Sequence, residues 1–253
     1  MMANIYVDPV SGDDSADWST PETAAKSLVT VLADLDAYGP GTTINLMAGE
    51  HRDSKNIYWQ GAAMAYHVRK GGTVDDPLVF QAMPGHEGKV IIMGKAPGSE
   101  VELDHGGFVL QDADYVHFKN LVFKHMWSWG ILNWDGHAEA TPAQWSLQPH
   151  RYGIVVDSCI FYNTSDRIGV QIGNQSGIRM DGHDGMIVRN CFDTLHLDYR
   201  GISERGTLAK GFGGRNGLVE QCTVYKNATN VYFQKQWSCN DDDTALFGYR
   251  TSE

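Results

Sequence analysis

The sequence predicts an all-β solenoid, in which short strands wind three to a coil behind a single N-terminal helix. Two observations carry this prediction. Four segments align without gaps: YVHFKNLVF (115–123), GIVVDSCIF (153–161), GMIVRNCFD (185–193) and NGLVEQCTV (216–224). A two-residue strand signal then follows each at a nearly constant distance: Gly130-Ile131, Gly169-Val170, Gly201-Ile202 and Asn230-Val231. Self-similarity at this period marks a repeat architecture whose coils bond mainly to their neighbours.

The helix comes first in the chain. Ser19 and Glu22 make a capping box, and Pro21 suits a first turn. Ala25, Leu28, Val29, Leu32 and Leu35 then form one apolar stripe, so the sequence predicts a helix over about 21–36 that covers the first coil. Coils follow from about residue 40. Each aligned segment holds an apolar column (Phe118, Val156, Val188, Val219) and, three positions on, a second (Leu121, Cys159, Cys191, Cys222). Side chains alternate along a strand with period two, so one flat strand cannot bury both columns. A bend must fall at the polar column between them: Asn120, Ser158, Asn190 and Gln221. The path from each third strand to the next coil varies in length, which places the insertions at that one corner. At the far end NDDDTALFGYRTSE starts another coil and stops. Either another subunit covers that coil, as in a homo-oligomer such as a trimer, or a longer protein continues it.

These features resemble the right-handed parallel β-helix proteins of the pectate-lyase-like superfamily. NIYVDPVSGDDSADWSTPETAAKSL is similar to that family's opening strand and capping helix. GTTINLMAGEHRD and GTVDDPLVFQAMPGHEGKVIIMG are similar to its first coils. The resemblance implies one domain over 1–253, with strand and capping helix in 1–39 and coils in 40–253. It implies little about activity, because the fold hosts lyases, hydrolases, epimerases and inert phage proteins.

Composition narrows the function. Hydrophobic residues make up 42% of the chain, which is therefore globular. A net charge of −11 argues against nucleic acid, whose binding rests on Lys/Arg displacing counterions. No apolar run approaches the roughly 20 residues of a membrane span, and MMANIYVDPVSGDD lacks the basic and apolar regions of a signal peptide. Cys159, Cys191 and Cys222 form no CxxC pair; a buried thiol stack is the plainer reading, against a metal site or a disulfide. Cys239 falls off that column.

The segment HMWSWGILNWDGH packs Trp127, Trp129 and Trp134 into eight residues. With Ile131 facing inward, Leu132 and Trp134 should face outward, and Trp127 and Trp129 lie on the turn entering that strand. The matching outward positions on later coils are Gln171, Arg205 and Tyr232, and the longest corner insertion adds Trp145. Flat rings beside amides and cations suit sugar rings. The alternative is that the tryptophans pack beneath the insertion or form a subunit interface.

The resemblance implies a chemistry for this face. Lyases of the family remove a proton next to a uronate carboxylate, using a Lys or Arg base while Ca²⁺ or a basic residue neutralises the carboxylate. The insertions GIRMDGHDG and YRGISERGTLAKGFGGR offer Arg179, Arg205 and Lys210 as catalytic candidates, with Asp181 and Asp184 as calcium ligands. No uninterrupted lyase motif accompanies them, and solvated loop charges are the alternative. Two functions stay open. One is a carbohydrate-recognising protein that binds and cleaves an extracellular polysaccharide by elimination or hydrolysis. The other is a non-catalytic phage virion component that assembles with other virion subunits.

Overall fold

Asn120, Ser158, Asn190 and Gln221, the polar column, adopt φ of 59°, 56°, 54° and 53°. One left-handed residue turns the chain sharply, and short polar side chains tolerate that region better than most. The bend does not interrupt the hydrogen-bond ladder between coils. The N–H groups of Asn120, Ser158 and Asn190 donate to the carbonyls of Asp157, Arg189 and Glu220 at 3.1, 3.0 and 3.3 Å. Just beyond the bend, the N–H groups of Ile160 and Phe192 donate to the carbonyls of Leu121 and Cys159.

The computed structural model describes residues 3–53, 57–59, 62–64, 66–94, 107–126, 129–133, 151–162, 176–181, 183–194, 207–212, 218–225, 232–233 and 248–250. Three parallel sheets run along the solenoid. The first stacks Ala3–Val7, Thr42–Leu46, Leu78–Ala82, Val116–Lys119, Val155–Asp157, Ile187–Arg189, Leu218–Glu220 and Gly248–Arg250. The second stacks Gly49–His51, Val90–Met93, Val122–Lys124, Ile160–Tyr162, Phe192–Thr194 and Thr223–Tyr225. The third stacks Tyr66–Val68, Phe108–Leu110, Trp129–Asn133, Ser176–Asp181, Thr207–Phe212 and Tyr232–Phe233. The core is a stack of rings and aliphatic side chains. Phe80 lies on Phe118 at 5.3 Å and Phe123 on Phe161 at 4.8 Å, while Phe108 meets Phe118 edge-on.

The cysteine column is built as expected. Cys159 and Cys191 are buried, Cys222 is half-buried, and all three are free thiols. Each Sγ reaches two carbonyls: Asp157, Arg189 and Glu220 of its own coil at 3.5, 3.2 and 3.2 Å, and Phe118, Val156 and Val188 of the preceding coil at 3.7, 3.7 and 3.8 Å. Burial pushes the Cys159 thiol up to about 12, so it behaves as a small hydrophobe. Cys239 lies outside the described residues.

The N-terminal helix is shorter than the sequence predicts. Pro21–Thr23 is a 3-10 turn whose capping box joins Thr20 to Thr23, not Ser19 to Glu22. The α-helix is Leu28–Ala33, capped by Ser27. Between them Ala25 bridges Val7 in parallel, exchanging backbone hydrogen bonds with Tyr6 and Asp8. Satisfying the outer backbone of the edge strand Ala3–Val7 outweighs local helical preference there. Asp53 fixes the helix start, accepting from the Ser27 hydroxyl at 2.5 Å and the Val29 N–H at 3.4 Å. The helix lies against Tyr66–Val68, the outermost strand of the third sheet, while Leu35 falls beyond it and is exposed.

Two third strands also differ from expectation. The partner of Trp129–Asn133 is Ser176–Asp181, which puts Ile178 rather than Val170 beside Ile131. The next is Thr207–Phe212, which puts Ala209 rather than Ile202 in that column. Extra chain therefore separates the second and third strands of these coils, and insertions are not confined to one corner. The Gly169-Val170 and Gly201-Ile202 signals were only two residues long. Ile178-Arg179-Met180 carries the period-two alternation that strands require, and Ala209-Lys210 follows its register.

On the outer face of the first sheet, register aligns Lys119, Asp157, Arg189, Glu220 and Arg250, a column of alternating charge. Arg189 grips Asp157 with its Nε at 2.9 Å and an Nη at 2.8 Å. Burial alone would raise the Asp157 carboxyl. Hydrogen bonds from Asn190, Arg189 and Ser158 outweigh it and hold the group below the usual carboxylate range.

Two outcomes follow from the bends and the column. Gln221→Gly relieves left-handed strain and should raise stability by about 0.5–1 kcal/mol, whereas Gln221→Val should lower it by about 1–2 kcal/mol, read from denaturant melts. The Asp157 pKa is depressed on folding, so its contribution is present above the ordinary carboxylate value near 4 and fades as pH falls through the lower folded value. The gap in melting temperature between wild type and Asp157→Asn should be full at pH 6 and shrink in acid. An equal gap at pH 6 and pH 2.5 would break the link to Asp157.

Candidate functional site

One register column of the third sheet gathers the chemistry. Strand pairing aligns His67, Val109, Leu132, Arg179, Lys210 and Tyr232 in consecutive coils, each about 4.8 Å from the next. Arg179 and Lys210 are thus direct cross-strand neighbours. Asp181 lies two residues beyond Arg179, in the same alternation phase, and pairs with Phe212. His183–Asp184 then pairs with Arg151–Tyr152 in a separate two-stranded corner. That corner is tied back to the previous coil. The Tyr152 N–H donates to the Asp114 carboxylate at 3.0 Å, and the Tyr115 N–H to the Tyr152 carbonyl at 2.8 Å. Partial burial raises Asp114, against the opposing Tyr152 hydrogen bond.

The N-terminal part of the row is unlike its middle. His67 shares a 2.6 Å hydrogen bond with the Gln111 amide oxygen, and partial burial lowers its pKa. Val109 and Leu132 are only 4% and 1% exposed, although they alternate with the inward residues Phe108, Leu110 and Ile131. Leu132 takes the outward phase that the sequence predicts, but it is covered.

Several predicted site residues change place. Arg179, Lys210 and Asp181, read as insertion residues, lie on strands. Arg179 and Lys210 share a row with Tyr232. Trp129 opens the strand Trp129–Asn133 instead of lying on the turn before it, in the alternation phase of Ile131. Trp134, Trp145, Gln171 and Arg205 lie outside the described residues. Sequence reasoning missed the His67–Gln111 pair and the covered Val109–Leu132 stretch. Only the alternation of Tyr66-His67-Val68 signalled the former. Among the described residues no group of three or more His, Cys, Asp or Glu side chains is placed to hold a metal ion. Nor is any described helix long and apolar enough to cross a membrane.

Solved structures share this coil. The chain aligns with pectate lyase Pel9A over 88% of its own length and 48% of that protein's, with TM-score 0.61 and 17% identity. The chain shares the parallel β-helix fold of that enzyme. This β-helix also aligns with a rhamnogalacturonan lyase, over 88% of its own length and 68% of that chain, with TM-score 0.52 and 15% identity. It spans about half the length of the pectate lyase. No family model and no curated protein matches it by sequence.

The covered row gives a measurable consequence. Leu132→Ala should cost about 2–5 kcal/mol, the range for a buried leucine. A loss under about 0.5 kcal/mol in denaturant melts, as at an open surface position, would contradict its burial.

Proposed function

We propose that the protein binds an acidic extracellular polysaccharide along the His67-to-Tyr232 column of the third sheet and cleaves it by β-elimination. The adjacency of Arg179 and Lys210 carries this reading. Like charges directly opposite on neighbouring strands destabilise a sheet, and a chain of net charge −11 has acids in excess to separate them. A local rule broken in this way marks a functional position, here one suited to a uronate carboxylate.

The chemistry divides between the pair. Arg179 neutralises the carboxylate, which acidifies the adjacent C–H. Lys210 accepts that proton. The electron pair of the C–H bond forms the new double bond as the glycosidic C–O bond breaks, and the leaving oxygen takes up a proton. Arg205 is a further cationic candidate. Tyr232, Trp129, Trp134, Trp145 and Gln171 are candidates for sugar contact. Asp181 and Asp184 offer hard oxygen donors for Ca²⁺, but two carboxylates fill only part of a shell of about six to eight oxygens. Substrate and water would complete it.

Polygalacturonate, rhamnogalacturonan, alginate and chondroitin sulfate, with calcium and then with chelator, test the reading. Unsaturated uronate should accumulate. Lys210→Met should lower turnover by about a hundredfold or more with binding retained, and Arg179→Met should weaken both. Reducing ends without unsaturated product would replace elimination by hydrolysis. Undiminished activity in chelator would remove calcium from Asp181 and Asp184. Polymers left intact and unbound would leave the structural scaffold of a virion as the surviving function.

A further inference from the structure

The outer face of the second sheet, away from the proposed cleavage row, carries two lines of residues. Register aligns Ile91, Val122, Ile160 and Phe192 in one, and Lys124, Tyr162, Thr194 and Tyr225 in the other. Tyr162 is 36% exposed and Phe192 39%. The Lys124 Nζ sits 5.9 Å from the centre of the Tyr162 ring, and His125 meets that ring edge-on at 5.7 Å. Glu50 of Gly49–His51 continues the first line beyond Ile91, at the far end from Tyr162 and Phe192.

We infer that this face is a second, non-catalytic track for an extended acidic glycan running along the solenoid axis. Its shape decides between a polymer and a protein partner. The two lines stand about 7 Å apart and cross five strands over about 20 Å. That strip is on the order of 150 Å², far below the roughly 800 Å² each partner buries in a stable protein interface. A single sugar chain needs no more width. Ring faces on Tyr162 and Phe192 take the apolar faces of sugars. Lys124, held over the Tyr162 ring, supplies a cation beside the exposed rings, which selects anionic over neutral chains.

The track is measured apart from cleavage in a protein carrying Arg179→Met and Lys210→Met, by affinity electrophoresis in polygalacturonate with dextran as the neutral control. This variant should still bind polygalacturonate and not dextran. Adding Tyr162→Ser and Phe192→Ser should weaken binding by about three- to tenfold for each ring, and Lys124→Gln should flatten its dependence on salt. If the ring variants fail to fold, Lys124→Glu decides: lost retardation at low salt supports the track, and unchanged retardation overturns it. Equal binding by the ring variants and their parent overturns it, as does equal retention in dextran. So does a wild-type dimer by light scattering that Phe192→Ser dissolves, which would make the face a self-association surface. A protein that cuts no polymer yet binds through Tyr162 and Phe192 supports the track and ends the lyase reading.

Discussion

Hydrogen bonds between coils run parallel to the axis of this molecule, so every strand must sit in register with the strand one coil away. The rest of the structure answers that demand. A wide turn would leave backbone groups facing inward without partners, where each costs about 1–3 kcal/mol. The single left-handed residues at Asn120, Ser158, Asn190 and Gln221 avoid this. Each changes the chain's direction between two sheets, and at the first three an amide stays on the ladder. Fixing that corner also fixes what lies beneath it, which is why Leu121, Cys159, Cys191 and Cys222 fall in one column.

The two outer faces use charge in opposite ways. On the first sheet Lys119, Asp157, Arg189, Glu220 and Arg250 alternate in sign, as a stable sheet prefers. On the third sheet Arg179 adjoins Lys210. The same scaffold holds both arrangements, because the backbone ladder fixes spacing regardless of side chain. That independence lets one row alternate in sign while another sets like charges side by side.

The sequence revealed the bends and the thiol column because each is a strictly local pattern, repeated at constant spacing. It revealed much less of the third sheet. Between Tyr162 and Ser176, and again between Thr194 and Thr207, the connection is long enough to hide the phase of the next strand. Gly169-Val170 therefore drew attention away from the alternation at Ile178. The sequence offers Arg179 and Lys210 as cationic candidates, but only strand pairing makes them neighbours. The helix shows the opposite error: Ala25 fits a helical stripe, yet the edge strand claims its backbone. Long-range pairing prevails in both cases, and single-sequence periodicity carries no information about it.

The alternating column also bears on how such a molecule can change length through duplication or loss. Removing the coil that contains Asp157 would set Lys119 against Arg189, two cations on neighbouring strands. Removing the next coil as well would set Lys119 against Glu220 and restore attraction. Along this stretch, gain or loss of coils is electrostatically neutral only in even numbers, so the first sheet imposes a parity rule on the lineage.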